Sequence, residues 1–320
     1  MARVLEPLRA MGVEATGAPG ERGETAPLRI VGGTLKGGEW RSKTPSAQVK
    51  SCVLIAGLAA SGSTTYIESV ATRDHSERML VARGATINRT QGEDGSWSIR
   101  VQGEAELRAI PQVHVPGDPS SAAFWLVAAS LHPDADLTIR GVSLNPTRRH
   151  VIEILRRMGA DIEIYNQRRF GAEPVADLRV RAAKLRGIEI PKQLVASAID
   201  EFPAIFIAAA CAQGETSLSG AEELRVKESD RIQVMVEGLV TLGIEAQAKP
   251  DGVRIRGGVL GQGTIDSRGD HRVAMSFSMA ALRAAGRIRI LDCANVDTSF
   301  PDFATLARTA GVGVCVEQDA

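Results

Sequence analysis

Arg225-Val226-Lys227-Glu228-Ser229-Asp230-Arg231 packs alternating cations and carboxylates into seven residues. Read alone, a solvated helix entrance explains the run equally well. On a helix, however, Lys227 and Arg231, four apart, share one face with Glu228 beside them. Two cations converging at a helix start suit a phosphate or a carboxylate, and a carboxyl alongside is placed to move a proton. Asp270-His271-Arg272 opens an otherwise apolar run. A cap followed by a surface cation is the simpler account, but a cation there opposes the helix dipole unless an anion binds. Asp200-Glu201-Phe202-Pro203 opens another such run, where Asp200 reads as an N-cap. A carboxylate at that position is kept ionised by the dipole, which also suits a general base toward a substrate hydroxyl. Ser46-Ala47-Gln48 offers a hydroxyl, backbone N–H groups and an amide at a helix start, a cradle for phosphate. Arg73, in Thr72-Arg73-Asp74-His75, follows the next strand and by itself reads as a surface arginine. The sequence contains no Walker A loop, zinc-spaced His/Cys cluster or GxSxG elbow.

The elements that must position these residues repeat. A polar opener, an apolar Ala-rich helix, a turn and a strand recur four times, opening at Ser46, Asp118, Asp200 and Asp270, roughly 70–80 residues apart. A second module alternates with the first: an amphipathic helix closed by Gly, then a short strand. Gly12, Gly84, Gly159, Gly243 and Gly311 take the left-handed position that ends each helix. Together the modules make a βαβαββ-like unit. Met1 opens on the back half of such a unit, which predicts a missing front of on the order of 110 residues if each domain holds three units. The polar stretch RAIPQVHVPGD marks a boundary near Val113 to Pro116. The expected domains are therefore 1–114, about one and a half units, and 115–320, three units.

With 320 residues, 44% hydrophobic and 24% charged, two soluble domains are expected. The balance of 38 basic against 38 acidic residues argues against nucleic-acid binding and leaves room for a small anionic ligand. Cys52, Cys211, Cys293 and Cys315 are widely spaced and read as reduced, mostly buried thiols, in keeping with a cytoplasmic protein. No apolar run approaches a membrane span, and the N-terminus lacks a signal peptide's continuous apolar stretch.

Taken in order, SAQ, Asp-Glu-Phe-Pro, RVKESDR, DHR followed by AMSF, and the TSFPDF tail resemble the 5-enolpyruvylshikimate-3-phosphate (EPSP) synthases. PGDPSSAA, LNPTRR and TRDH resemble the class II branch, which includes glyphosate-tolerant bacterial forms. The resemblance implies an α/β fold, an inside-out two-domain α/β barrel of βαβαββ units, with the first domain incomplete here. It implies transfer of the enolpyruvyl group of phosphoenolpyruvate to the 5-hydroxyl of shikimate 3-phosphate, with release of phosphate, in aromatic amino-acid biosynthesis. No cofactor or metal is implied. Ser46, Ala47, Gln48, Arg73, Asp200 and Lys227 are implied to bind shikimate 3-phosphate, and Gln48, Arg231 and Arg272 phosphoenolpyruvate. Asp200 is implied as the base and Glu228 as the acid. The family's PGSKS-type segment and NAGTA-type loop are not in this sequence, and Thr298 stands where some members carry a lysine. Impaired activity of the chain alone is therefore expected. Family members are usually monomeric, and a complementing N-terminal fragment is a conceivable partner. Two alternatives stay open: a non-catalytic remnant or half of a split enzyme, and the sister enzyme acting on UDP-N-acetylglucosamine.

Overall fold

The alternation of apolar and amphipathic helices sets the layering of the chain, whose residues 1–20 and 23–317 are described by a computed structural model. Contacts divide it into two units, residues 1–115 with 169–173, and residues 116–168 with 174–320. The first contains α1 (Ala2–Ala10), β1 (Glu14–Gly20), β2 (Gly23–Val31), β3 (Glu39–Arg41), α2 (Ala47–Leu58), β4 (Ser63–Glu68), α3 (His75–Ala82), β5 (Ile87–Gln91) and β6 (Trp97–Gln102). The second contains α4 (Pro119–Leu131), β7 (Asp136–Ser143), α5 (His150–Arg157), β8 (Asp161–Phe170), β9 (Glu173–Arg181) and α6 (Lys192–Val195). It continues through α7 (Phe202–Ala210), β10 (Glu215–Leu218), α8 (Arg231–Thr241), β11 (Glu245–Lys249), β12 (Gly252–Arg256), β13 (Gly263–Asp266), α9 (His271–Ala280), β14 (Ile288–Leu291), α10 (Asn295–Ser299) and α11 (Phe303–Thr309). The tip of the β8–β9 hairpin, residues 169–173, groups with the first unit.

In the second unit α4, α7 and α9 pack pairwise against one another. They can do so because their apolar residues run all the way round: every residue of α7 is buried. Ile205, Phe206 and Ile207 are each 0% exposed, and full burial of such side chains is worth about 1.5–3 kcal/mol apiece. The sheets β7–β9–β8, β10–β12–β11 and β13–β14 lie outside these helices. In β12, Val253 and Ile255 face in while Arg254 and Arg256 face out. Helices inside and sheets outside is the reverse of the usual α/β layering. The first unit has a smaller core, in which Val49, Val53, Leu54 and Leu58 of α2 meet Tyr66, Leu80, Ile99 and Val101. There β3 runs parallel to β4, and β4–β6–β5 is antiparallel.

All five closing glycines adopt left-handed backbone, with φ between +82° and +98°. The fifth module departs from the expected pattern, because residues 312–317 after Gly311 form no strand. A strand needs a paired neighbour, and none of the described strands pairs with these residues. The cysteines also differ from expectation. All four are free, but Cys293 and Cys315 are exposed, the first in the turn after β14 and the second in that unpaired tail.

Candidate functional site

Asp200 gathers the charged residues of the second unit. Lys227 Nζ and Arg231 Nη1 each lie 3.5 Å from Asp200 Oδ1, and Arg272 Nη1 donates to the Asp200 carbonyl oxygen at 3.1 Å. Arg231 is the best anchored of the three cations. Its Nε donates to Asp270 Oδ2 at 2.8 Å and its Nη2 to Glu228 Oε2 at 2.5 Å. Only 1% of its side chain is exposed, yet Nη1 has no hydrogen-bond partner among the described residues. A guanidinium fork pinned on two sides, with its third nitrogen held only by a long ion pair to Asp200, is shaped to receive an oxyanion.

The local structure that delivers these groups differs from the sequence reading in two places. Asp200 is not the N-cap of α7. It sits in a 3-10 turn, Ile199–Glu201, and the capping position belongs to Glu201, whose side chain makes no cap bond. Pro203 removes one of the N–H groups a cap would accept from, and Asp200 Oδ1 pairs with Lys227 and Arg231 instead. Lys227 and Arg231 likewise do not share a helical face. Lys227 lies in the loop after a 3-10 turn, Glu222–Val226, and Arg231 is the first residue of α8. They converge because the loop bends back, held by Arg225 bonding to Asp230 at 2.6 Å and to Pro250 O at 2.8 Å.

Arg272 was read as a cation opposed by its own helix. Asp270 resolves that conflict by capping α9, accepting the N–H groups of Arg272 and Val273. Burial pushes the Asp270 carboxyl up, but Arg231, Ser229 and the backbone donor outweigh it and hold the group below the usual carboxylate range. Burial, reinforced by neighbouring Arg272, pushes the His271 imidazole down. Glu228 is half exposed, at 52%, and its carboxylate pairs with Arg231 Nη2.

Sequence reasoning passed over Glu201. It is almost fully buried, accepts from Ser120 Oγ, and lies 3.2 Å from Arg148 Nη2, which also donates to Ser120 at 2.6 Å. Burial pushes its carboxyl up, with Arg148 and Ser120 partly offsetting this. The signal was a second carboxylate beside Asp200 ahead of an apolar helix, but adjacency alone gave no hint that the two would point to different neighbours.

Ser46, Ala47, Gln48 and Arg73 lie in the first unit. Ser46 caps α2, accepting the Val49 N–H at 3.4 Å, and its hydroxyl donates to Gln48 Oε1 at 3.2 Å. The Tyr66 hydroxyl, fully buried, donates to Ser46 O at 3.4 Å and fixes the start of the helix. Gln48 is exposed, and Arg73 is half-buried in the loop between β4 and α3. Lys50, a second residue that sequence reasoning overlooked, is entirely buried against Glu68 and Glu77. A lone lysine in an otherwise apolar helix was its signal. Among the described residues there is no cluster of His, Cys, Asp and Glu that could hold a metal ion, and no helix is long and apolar enough to cross a membrane.

Compared with known proteins, residues 1–306 match the family EPSP synthase (3-phosphoshikimate 1-carboxyvinyltransferase). The chain is 58% identical to the 3-phosphoshikimate 1-carboxyvinyltransferase of Methylococcus capsulatus over 98% of its own length and 70% of the relative's. It is 53% identical to that of Alkalilimnicola ehrlichii, covering 69% of the relative. Among solved structures, EPSP synthase from Acinetobacter baumannii superposes with a TM-score of 0.91 at 47% identity, over 99% of this chain and 72% of that one. The enolpyruvyl transferase NikO of Streptomyces tendae, at 17% identity and TM-score 0.72, shares the fold. These matches support the family and the two-domain inside-out α/β fold. They do not support the expected class II branch, the expected missing front, or the impairment expected to follow from it.

Proposed function

Because the chain belongs to the EPSP synthase family, we propose that it joins the enolpyruvyl group of phosphoenolpyruvate to the 5-hydroxyl of shikimate 3-phosphate, with Asp200 as base. Asp200 accepts the hydroxyl proton as the oxygen attacks phosphoenolpyruvate, and Glu228 delivers a proton to the methylene carbon. Arg231 and Arg272, with Gln48, hold phosphoenolpyruvate, and Lys227, Ser46, Ala47 and Arg73 hold shikimate 3-phosphate. The Glu228 carboxylate then takes a proton back from the resulting methyl group as the double bond re-forms and the C–O bond to phosphate breaks, the leaving phosphate carrying off the proton held by Asp200. The division into lobes 1–114 and 115–320, a cytoplasmic setting and operation without a cofactor belong to the same proposal.

The observation that carries the reading is the buried Arg231 fork, held by Asp270 and Glu228 with Nη1 lacking a hydrogen-bond partner, beside a second cation on the same Asp200. The three cations are met there by four carboxylates, Asp200, Glu223, Glu228 and Asp270, so the site carries no excess of positive charge. An incoming anion competes with Glu228 for Arg231. The test is phosphate release by the purified protein, given each substrate alone and both together. Release that requires both supports the proposal. Release with UDP-N-acetylglucosamine in place of shikimate 3-phosphate, or none with either acceptor, contradicts it.

A further inference from the structure

Arg73 stands between two tethered residues, and the tether on one side runs through a buried charge cluster. Lys50 and Glu68 are both 0% exposed, and Glu77 is 7% exposed. Lys50 Nζ lies 3.1 Å from Glu68 Oε1 and 3.0 Å from Glu77 Oε1, and donates to Thr72 O at 3.2 Å. Glu68 in turn accepts the Thr72 N–H at 3.1 Å and the Thr72 hydroxyl at 2.6 Å. The carbonyl, amide and side chain of Thr72 are therefore all held by one buried pair. On the other side of Arg73, Asp74 is bound by Arg78 at 2.9 Å.

We propose that Lys50 is a positioning residue for substrate recognition, locking the loop of Thr72 and Arg73 against the first turn of α2. Arg73 and the Ser46–Gln48 turn then act as a single pre-shaped anion-binding surface. Lys50 sits one turn beyond Ser46 on the same helix, so the ammonium that fixes Thr72 moves rigidly with the capped turn. Full burial of an ammonium and two carboxylates is a poor way to gain stability, since apolar residues of similar volume generally do as well. What the cluster supplies that apolar residues would not is hydrogen bonding to all three polar groups of Thr72. A loop left to itself samples many conformations, and an arginine on it loses affinity by the fraction of time spent misplaced.

The inference rests on the proposed binding of shikimate 3-phosphate, and its test keeps the two apart. Lys50→Met alone strands two buried carboxylates, so the working variant is Lys50→Met/Glu68→Gln/Glu77→Gln, with Thr72→Val as a milder probe. Calorimetric titration with shikimate 3-phosphate is expected to show Kd raised about 10-fold or more in the triple variant and about 3-fold in Thr72→Val. Combined with Arg73→Ala, the triple variant is expected to weaken binding little beyond Arg73→Ala alone, because both changes remove the same interaction. A Kd within about twofold of wild type in both the triple variant and Thr72→Val, or full additivity with Arg73→Ala, overturns the proposal. Hydrogen exchange at the Thr72 amide serves as the independent readout, with protection expected to fall in the triple variant. Should wild type itself bind no shikimate 3-phosphate, the substrate reading fails, and unchanged Thr72 protection then overturns the clamp as well.

Discussion

The two units handle buried charge in opposite ways. In the first, Lys50 and Glu68 are sealed at 0% exposure, and in front of them stand a buried neutral helix cap, Ser46, the exposed Gln48 and the half-buried Arg73. In the second, Arg231, Asp270 and Glu201 are sealed, but around them Lys227 keeps 20% of its side chain exposed, Asp200 14% and Glu228 52%. A sealed cluster cannot exchange its partners for a ligand, so it can only shape what lies in front of it. A half-covered cluster can give up an internal ion pair for a substrate oxyanion and can pass a proton. The difference separates a surface that recognises from a surface that reacts, and each side of it can be broken.

The largest effect is expected where a sealed cation is removed. Lys50→Met leaves Glu68 and Glu77 unpaired, and urea unfolding should show a loss of about 3–5 kcal/mol. The next probes the packing behind the reactive surface. Gly238 on α8 lies against the Phe277 ring of α9, which a Cβ would overlap. Despite alanine's better helix propensity, Gly238→Ala should cost about 1–3 kcal/mol and shift Arg231 and Arg272, carried by the same two helices. Lys227→Met should leave stability within about 1 kcal/mol of wild type, since its ion pairs are partly exposed. Its turnover is nevertheless expected to fall about 100-fold, which steady-state kinetics would reveal.

The smallest effect concerns pH. Glu201, raised by burial, favours the folded state fully below its ordinary value near 4.5 and loses that contribution as pH rises through its folded value. Glu201→Gln should therefore gain stability relative to wild type as pH is raised from 4.5 toward neutrality. Melting temperatures that stay parallel over that range would remove Glu201 from the account.

Much of this was legible in the residues. The capping openers Ser46, Asp118 and Asp270, the four apolar helices and the five left-handed glycines follow from local chemistry, because each is settled within a turn of chain. The shape of the second-unit site was less so. Lys227 and Arg231 do meet, but through a loop pinned by Arg225, not through helical spacing. Asp200 faces the cations from a 3-10 turn ahead of α7, whose capping position falls to Glu201. Lys50 and Glu201 were missed because a charge in an apolar helix gains meaning only from its distant partners, Glu68, Glu77 and Thr72 for one, Ser120 and Arg148 for the other. Strand formation after Gly311 failed for the same reason, since pairing depends on a neighbour the local sequence does not specify.

The central claim is that Asp200 reacts while the α2 surface recognises. Asp200→Asn keeps the shape and one acceptor oxygen, and removes the base together with the negative charge paired to Lys227 and Arg231. Measured side by side with wild type, turnover by phosphate release and shikimate 3-phosphate affinity by calorimetry should separate. The account predicts kcat lower by about 100-fold or more, with Kd changed by no more than about threefold. An unchanged kcat, or a loss that appears only as weakened binding, would contradict it.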